Sequence, residues 1–194
     1  MIYHTHIFLD TECQLFSAIV AAHWNPDSTN SLSDSLNSHK CFSSWQKRND
    51  ISDKASITAA ESLDYKLVPF RANDGFYCQL YEEFLYHSKL DINGGAWAQF
   101  DLKSYFKLKC IRVPVRSAEV YWNANFHEIE IRFGNNSRDE NFAKNPIIAY
   151  TETGLEGKIF EVCLDYPLVG RYLFFHEKQS QFTAILIGDI QILV

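Results

Sequence analysis

The 194-residue sequence predicts an all-β chain, an antiparallel sandwich or barrel behind a short N-terminal extension. Three observations predict it. Aromatic residues make up 15% of the chain, with 15 Phe and 10 Tyr, a load that suits half-buried pleated strands better than a helical bundle. Beyond residue 50 the apolar residues come in short runs at strand spacing. Turn signals separate those runs: Asn73-Asp74-Gly75, Asn93-Gly94-Gly95, Gly134-Asn135-Asn136 and Asn145-Pro146. Hydrophobic residues reach 46%, enough to bury a core.

The elements follow in chain order. Residues 25–50 are rich in Ser, Asn and Asp, the composition of a linker. The domain boundary is therefore placed near Asn49. Residues 1–48 read as an N-terminal extension or linker, with either a short helix over 11–22 or no order. Asp10 and Glu12 precede the apolar stretch 15–24, and the first Lys or Arg is Lys40. A secretory signal starts with positive charge, so no clear signal peptide is read. No apolar run reaches the roughly 18 residues of a membrane helix.

Within 49–194, residues 57–60 and 98–102 are short strand candidates. Residues 108–115 form a longer one, with Pro114 favouring an edge or a bulge. Residues 126–133 alternate: Ile129, Ile131 and Phe133 share one face, and Glu128, Glu130 and Arg132 share the other. Residues 171–176 and 184–194 complete the set, the last interrupted at Gly188-Asp189, where a bulge is expected. Phe84-Leu85-Tyr86 reads as core rather than as an exposed membrane-seeking tip.

Charge and motifs then exclude function classes. The net charge of −6 argues against a nucleic-acid footprint. There is no Gly-x-Ser-x-Gly nucleophile elbow, no phosphate-cradling glycine loop and no His-Glu-x-x-His. Glu82 and Glu83 are sequence neighbours, whose side chains point apart on most backbones, so they form no acid/base couple. The reading is a non-enzyme. Five cysteines cannot all pair within one chain, and none sits in a Cys-x-x-Cys. Cys110 reads as a small buried hydrophobe in an apolar strand. Cys78 and Cys163 could pair in an exported chain.

Two constellations carry chemistry. Asp74, in an Asn-Asp-Gly turn, and Asp189 offer carboxylates on tight turns, as calcium wants; the plain alternative is an ordinary Asx turn. His87, Arg112 and Arg116, with Trp97 and Trp122 near them in order, offer forked donors beside aromatic faces. That combination suits sugar hydroxyls and C–H patches. The plain alternative is a core Trp97 and a surface Arg116.

The stretch from about Asn49 to Val194 resembles the galactose-binding-like jelly rolls, the superfamily of discoidin and coagulation-factor type C domains and of fucolectins. Five segments carry the resemblance in order: Arg71-Ala-Asn-Asp-Gly75, Trp97-Ala-Gln-Phe-Asp-Leu102, Phe126-His-Glu-Ile-Glu-Ile-Arg-Phe-Gly134, Pro167-Leu-Val-Gly-Arg-Tyr172 and Ile187-Gly-Asp-Ile-Gln-Ile192. The resemblance implies a jelly-roll β-sandwich and a lectin-like, non-catalytic recognition module working outside the cell, in glycan binding or cell adhesion. In the fucolectin branch a histidine and two arginines grip the sugar. His87 matches the histidine and Arg116 the first arginine. Asn125 or Ala124 stands at the second, so half of the fork is missing. Trp122, in a longer loop, adds a stacking face. The resemblance also implies a structural calcium held by the Arg71 and Gly188 carbonyls and the Asp74 and Asp189 carboxylates, pinning the loop after the first strand to the last strand. Phe76 stands where the family's asparagine ligand is expected. Two readings follow: a glycan-binding module, or a protein- or cell-surface-interaction module of a larger extracellular protein that binds no sugar. Asn135-Asn136-Ser137 is the only N-glycosylation sequon.

Overall fold

A computed structural model describes residues 41–43, 49–78, 85–89, 95–115, 126, 128–151, 159–178 and 184–194. Among the described residues ten strands run in chain order: β1 Cys41–Ser43, β2 Ser56–Ala59, β3 Phe76–Cys78, β4 Tyr86–His87, β5 Trp97–Pro114, β6 Ile129–Gly134, β7 Ile147–Tyr150, β8 Ile159–Glu177, β9 Leu186–Ile187 and β10 Gln191–Leu193. Every pairing among them is antiparallel. The six-stranded sheet runs β10-β5-β8-β6-β7, with β2 also on β5; β1 pairs with β3, and β4 with β9. β1 lies upstream of the boundary expected near Asn49, so sheet pairing begins before it. Among the described residues no helix is long and apolar enough to cross a membrane.

The two long strands organise the rest. Residues 98–102 and 108–115, expected as separate strands, fall on one strand, β5. What breaks between them is the ladder and not the chain. The pairing with β8 shifts register between Asp101 and Phe106. Lys103 there takes a left-handed backbone, φ 67°, and its N–H donates to Asp101 Oδ1 at 2.9 Å, which satisfies the backbone locally. On one side of the break β2 borders β5, opposite residues 98–101. On the other side β10 does, opposite residues 110–112. One pair of strands thus serves two sets of neighbours.

The alternation read at 126–133 holds for the core face but not for the strand's start. Ile129, Ile131 and Phe133 are buried in the main core. Glu128 is left-handed, φ 57°, and the strand begins one residue later. Phe126 still reaches the core, 6.1 Å from the Phe175 ring. The same core holds Phe100 and Leu102 of β5, Leu173 and Phe175 of β8, Tyr86 of β4, and Ile187, Ile190 and Ile192 near the C-terminus. Phe100 and Phe175 meet edge to face at 5.7 Å. Burying each such ring contributes about 1.5–3 kcal/mol. Leu85 and Tyr86 are core, as the sequence indicates. The Tyr86 hydroxyl donates to the Ala60 carbonyl at 2.8 Å, and burial pushes the phenol well above its ordinary range.

The opposite face of the sheet is also covered. The chain after β6 folds back over it, placing Phe142 on Phe174 at 4.9 Å and the Arg138 guanidinium over the Trp97 ring at 4.3 Å. Glu130, on the polar face of the alternation, is consequently buried. Its burial pushes the carboxyl up, but its ion pairs with Arg132 and Lys178 outweigh that and hold it below its ordinary value. Arg132 also donates through Nη1 to the carbonyls of Ala143 and Asn145, at 2.7 and 2.5 Å.

Cysteine pairing departs from the sequence reading. Cys110 is not a buried thiol. It is bonded to Cys163, directly opposite on β8. Both face the outer side of the ladder, where an apolar strand pattern does not tell a cross-strand bridge from a core residue.

Candidate functional site

Two places hold the described residues that the sequence singles out. The first is the turn after β2. Pro69 opens a single 3-10 turn, Pro69–Ala72, with its fixed φ. Gly75 follows at φ 81°, a conformation that glycine adopts without a steric penalty. Four hydrogen bonds fix this turn. Asn73 Nδ2 donates to the Ser52 and Ala55 carbonyls at 2.9 and 3.0 Å. The Ile190 N–H donates to the Ala72 carbonyl at 2.9 Å. Asp189, only 4% exposed, accepts the Gly75 N–H at 3.0 Å. Gly188 and Asp189 do not form the bulge expected within one strand; there the chain leaves one sheet for another, β9 pairing with β4 and β10 with β5. The structure thus brings Asp189 to the turn that carries Arg71 and Asp74, with Gly188 as its chain neighbour.

What they build does not fit a resident calcium. That ion takes six to eight oxygens and favours a site rich in unpaired carboxylates. Here Arg71 Nη1 donates to Asp74 Oδ2 at 3.0 Å, so a guanidinium already lies on the carboxylate expected to bind the metal. The side chain at the residue expected to lend only a carbonyl supplies a positive charge of its own.

The second place is β4. His87 pairs with Leu186 of β9. On its other side the loop 61–67 adds a further antiparallel contact: Leu63 N–H donates to the His87 carbonyl at 2.9 Å, and His87 N–H to the Leu67 carbonyl at 3.2 Å. The ring is 4% exposed. Its Nδ1 lies 2.6 Å from the Ser88 carbonyl. A carbonyl only accepts, so Nδ1 carries the proton. The residues meant to complete the fork, Arg116, Trp122 and Asn125, lie outside the described residues. Arg112 is not part of a fork; it is paired with Glu161 at 2.6 Å. Trp97 is half-buried under Arg138.

No protein-family model and no curated protein sequence matches the chain. Solved structures do. A fucolectin from striped bass (Morone saxatilis) serum superposes with a TM-score of 0.65 at 16% identity, over 76% of this chain and 49% of that one. The chain thus spans about half the length of that lectin. A Streptococcus pneumoniae fucose-binding module superposes at TM-score 0.60 and 13% identity, over 76% and 98%. The family 32 CBM of C. perfringens NanJ, solved with galactose, does so at 0.58 and 15%, over 74% and 97%.

The fold is the galactose-binding-like jelly roll.

Within this jelly roll the sequence reading missed two features. The first is the pair between Asp101 and Arg171. Both residues sit in segments that carry the resemblance, but their partnership shows only once β5 and β8 are paired. The second is the exposed rim of the loop beside His87. Leu63, Phe70 and above all Tyr65, 81% exposed, project there. In the sequence, 65–70 looks like another apolar run; Pro69 is the signal that it is not a strand interior.

Proposed function

We propose that this chain is a non-catalytic carbohydrate-recognition module working outside the cell, with its sugar site at the end of the sandwich beside β4. The observation that carries the reading is the jelly-roll fold, superposed along nearly the full length of a fucose-binding module and of a CBM solved with galactose. The register supports the location. β10 pairs Leu193 with Cys110 and Gln191 with Arg112, so moving back along it toward β9, and hence toward His87, follows β5 toward its exit at Pro114. Arg116 is two residues past that exit. A buried histidine with a fixed tautomer, an arginine and an aromatic face make up the chemistry that holds vicinal hydroxyls against a C–H patch. With Asn125 or Ala124 at the position where the resemblance expects a second arginine, that charge is missing, which favours neutral sugars and weak, millimolar-range binding.

The test is a thermal-shift and calorimetric titration against L-fucose, D-galactose and related monosaccharides. A ligand bound only to the native state raises the midpoint by mass action, equivalent to about 2.7 kcal/mol at a hundredfold excess over Kd. One sugar should raise the midpoint, and Arg116→Ala should abolish that shift while leaving the unliganded midpoint within about 1 °C. If no sugar binds at 100 mM, the carbohydrate reading fails, and the protein- or cell-surface-interaction reading replaces it.

A further inference from the structure

We infer that Arg71 is a built-in replacement for a structural cation: its guanidinium closes the turn after β2, so that docking of this turn on the last strands needs no metal. Jelly rolls of the kind this chain resembles are expected to hold that turn with calcium. Here each task of the ion has a protein group. The charge on Asp74 is met by Arg71 at 3.0 Å. The bridge from the turn to the C-terminal strands is made by Asp189 to the Gly75 N–H at 3.0 Å and by the Ile190 N–H to the Ala72 carbonyl at 2.9 Å. Asn73 ties the turn to the Ser52 and Ala55 carbonyls.

The guanidinium is held in place from other directions. It lies over the Phe70 ring, 5.0 Å from the centroid, and its Nε is buried with no hydrogen-bond partner among the described residues. A side chain that gives up a hydrogen bond at one nitrogen to keep another on Asp74 is positioned by packing as well as by charge. A divalent ion at Asp74 would face this fixed positive charge at close range, and the repulsion opposes entry. An arginine also differs from calcium in kind. It cannot dissociate, and it stays charged at any working pH, so the turn keeps its shape whatever the calcium level. The inference concerns the turn alone and stands whether or not the domain binds sugar.

The experiment is the thermal midpoint of the full chain in 5 mM calcium and in EDTA, for the wild type, Arg71→Met, Asp74→Asn and the double variant. The wild-type midpoint should agree between the two buffers within about 1 °C, and each single variant should lower it by about 2–4 °C. The double variant should fall little further than either single one, because the two side chains act on each other. A wild-type rise of several degrees in calcium over EDTA overturns the inference, as do single effects that simply add. The wild-type arm needs no variant, so a variant that fails to fold does not shield the inference from refutation.

Discussion

Two arginine–carboxylate pairs in this domain use the same chemistry for different ends. Arg71 and Asp74 are three residues apart and meet through one nitrogen at 3.0 Å. Arg171 and Asp101 are separated by 70 residues and meet through two, Nε at 2.6 Å and Nη2 at 2.9 Å. The local pair shapes one turn. The distant pair clamps the two longest strands at the point where their ladder breaks. The distant pair also governs the titration of its acid. The hydrogen bond from Arg171 is the largest influence on Asp101. Partial burial opposes it, Lys103 assists it, and the net effect holds the carboxyl well below the usual carboxylate range. An ion pair carries structural weight when it closes a long loop with bidentate geometry, and much less when its partners are already neighbours in the chain.

That contrast can be broken or sharpened from the strong end downward. Beyond the break, the same β5–β8 ladder is tied by Cys110–Cys163, 53 residues apart. Replacing both cysteines by serine should cost the most, about 2–4 kcal/mol through the loosened unfolded chain, read in urea unfolding as a lower midpoint at an unchanged native circular dichroism spectrum. A change smaller than that of the Asp101 variant would reverse the ranking of the two ties.

Next comes Asp101→Asn. It removes a charge-assisted pair and should cost about 1.5–3 kcal/mol at neutral pH. Acid supplies the sharper test. Asp101 is depressed in the folded state, so its contribution is full above the unfolded carboxylate pKa of about 3.9 and is lost as pH falls from there toward the lower folded value. Below about pH 4 the wild type should therefore lose stability faster than Asp101→Asn, and the two curves should converge. Parallel curves down to pH 2 would mean that another carboxylate dominates acid unfolding.

The smallest effect belongs to an exposed pair that also bridges distant chain segments, Lys89 with Glu61 at 2.5 Å. Glu61→Gln should change stability by less than about 0.5 kcal/mol, since solvent screens the pair. A cost near that of Asp101 would show that loop closure alone, without burial or bidentate geometry, sets the value.

Much of this was legible in advance, and the reasons differ from residue to residue. Period-two alternation named Ile129, Ile131 and Phe133 as core because a strand places alternate side chains on one face. Asn73-Asp74-Gly75 named its turn because the glycine conformation is a local property; the Asn73 side chain instead ties the turn to the distant Ser52 and Ala55 carbonyls. Gly188-Asp189 was legible as an interruption, but not as the place where the chain leaves one sheet for another. The start of β6 was misplaced because a left-handed Glu128 leaves no mark on the alternation. The unity of β5 was missed because the strand continues through a shift in its pairing with β8, which shows only once the two strands lie side by side. At the site, the order of motifs pointed to the turn at Asp74 meeting the last strands, and the structure ties that turn to Asp189 through the Gly75 N–H. The motifs did not show that the Arg71 side chain would lie on Asp74.

The sequence by itself determined the all-β class, the faces of the strands and the positions of the turns, because these depend on contacts within a few residues. Only the tertiary structure decided the Cys110–Cys163 bridge, the Asp101–Arg171 clamp, the burial of Glu130 under the returning chain and the guanidinium on the calcium-like turn. The first three depend on which strand lies beside which and on what then covers the sheet, and the residues that set those neighbours lie tens of positions away in the chain; the last depends on the turn's folded geometry, which brings two side chains three residues apart together.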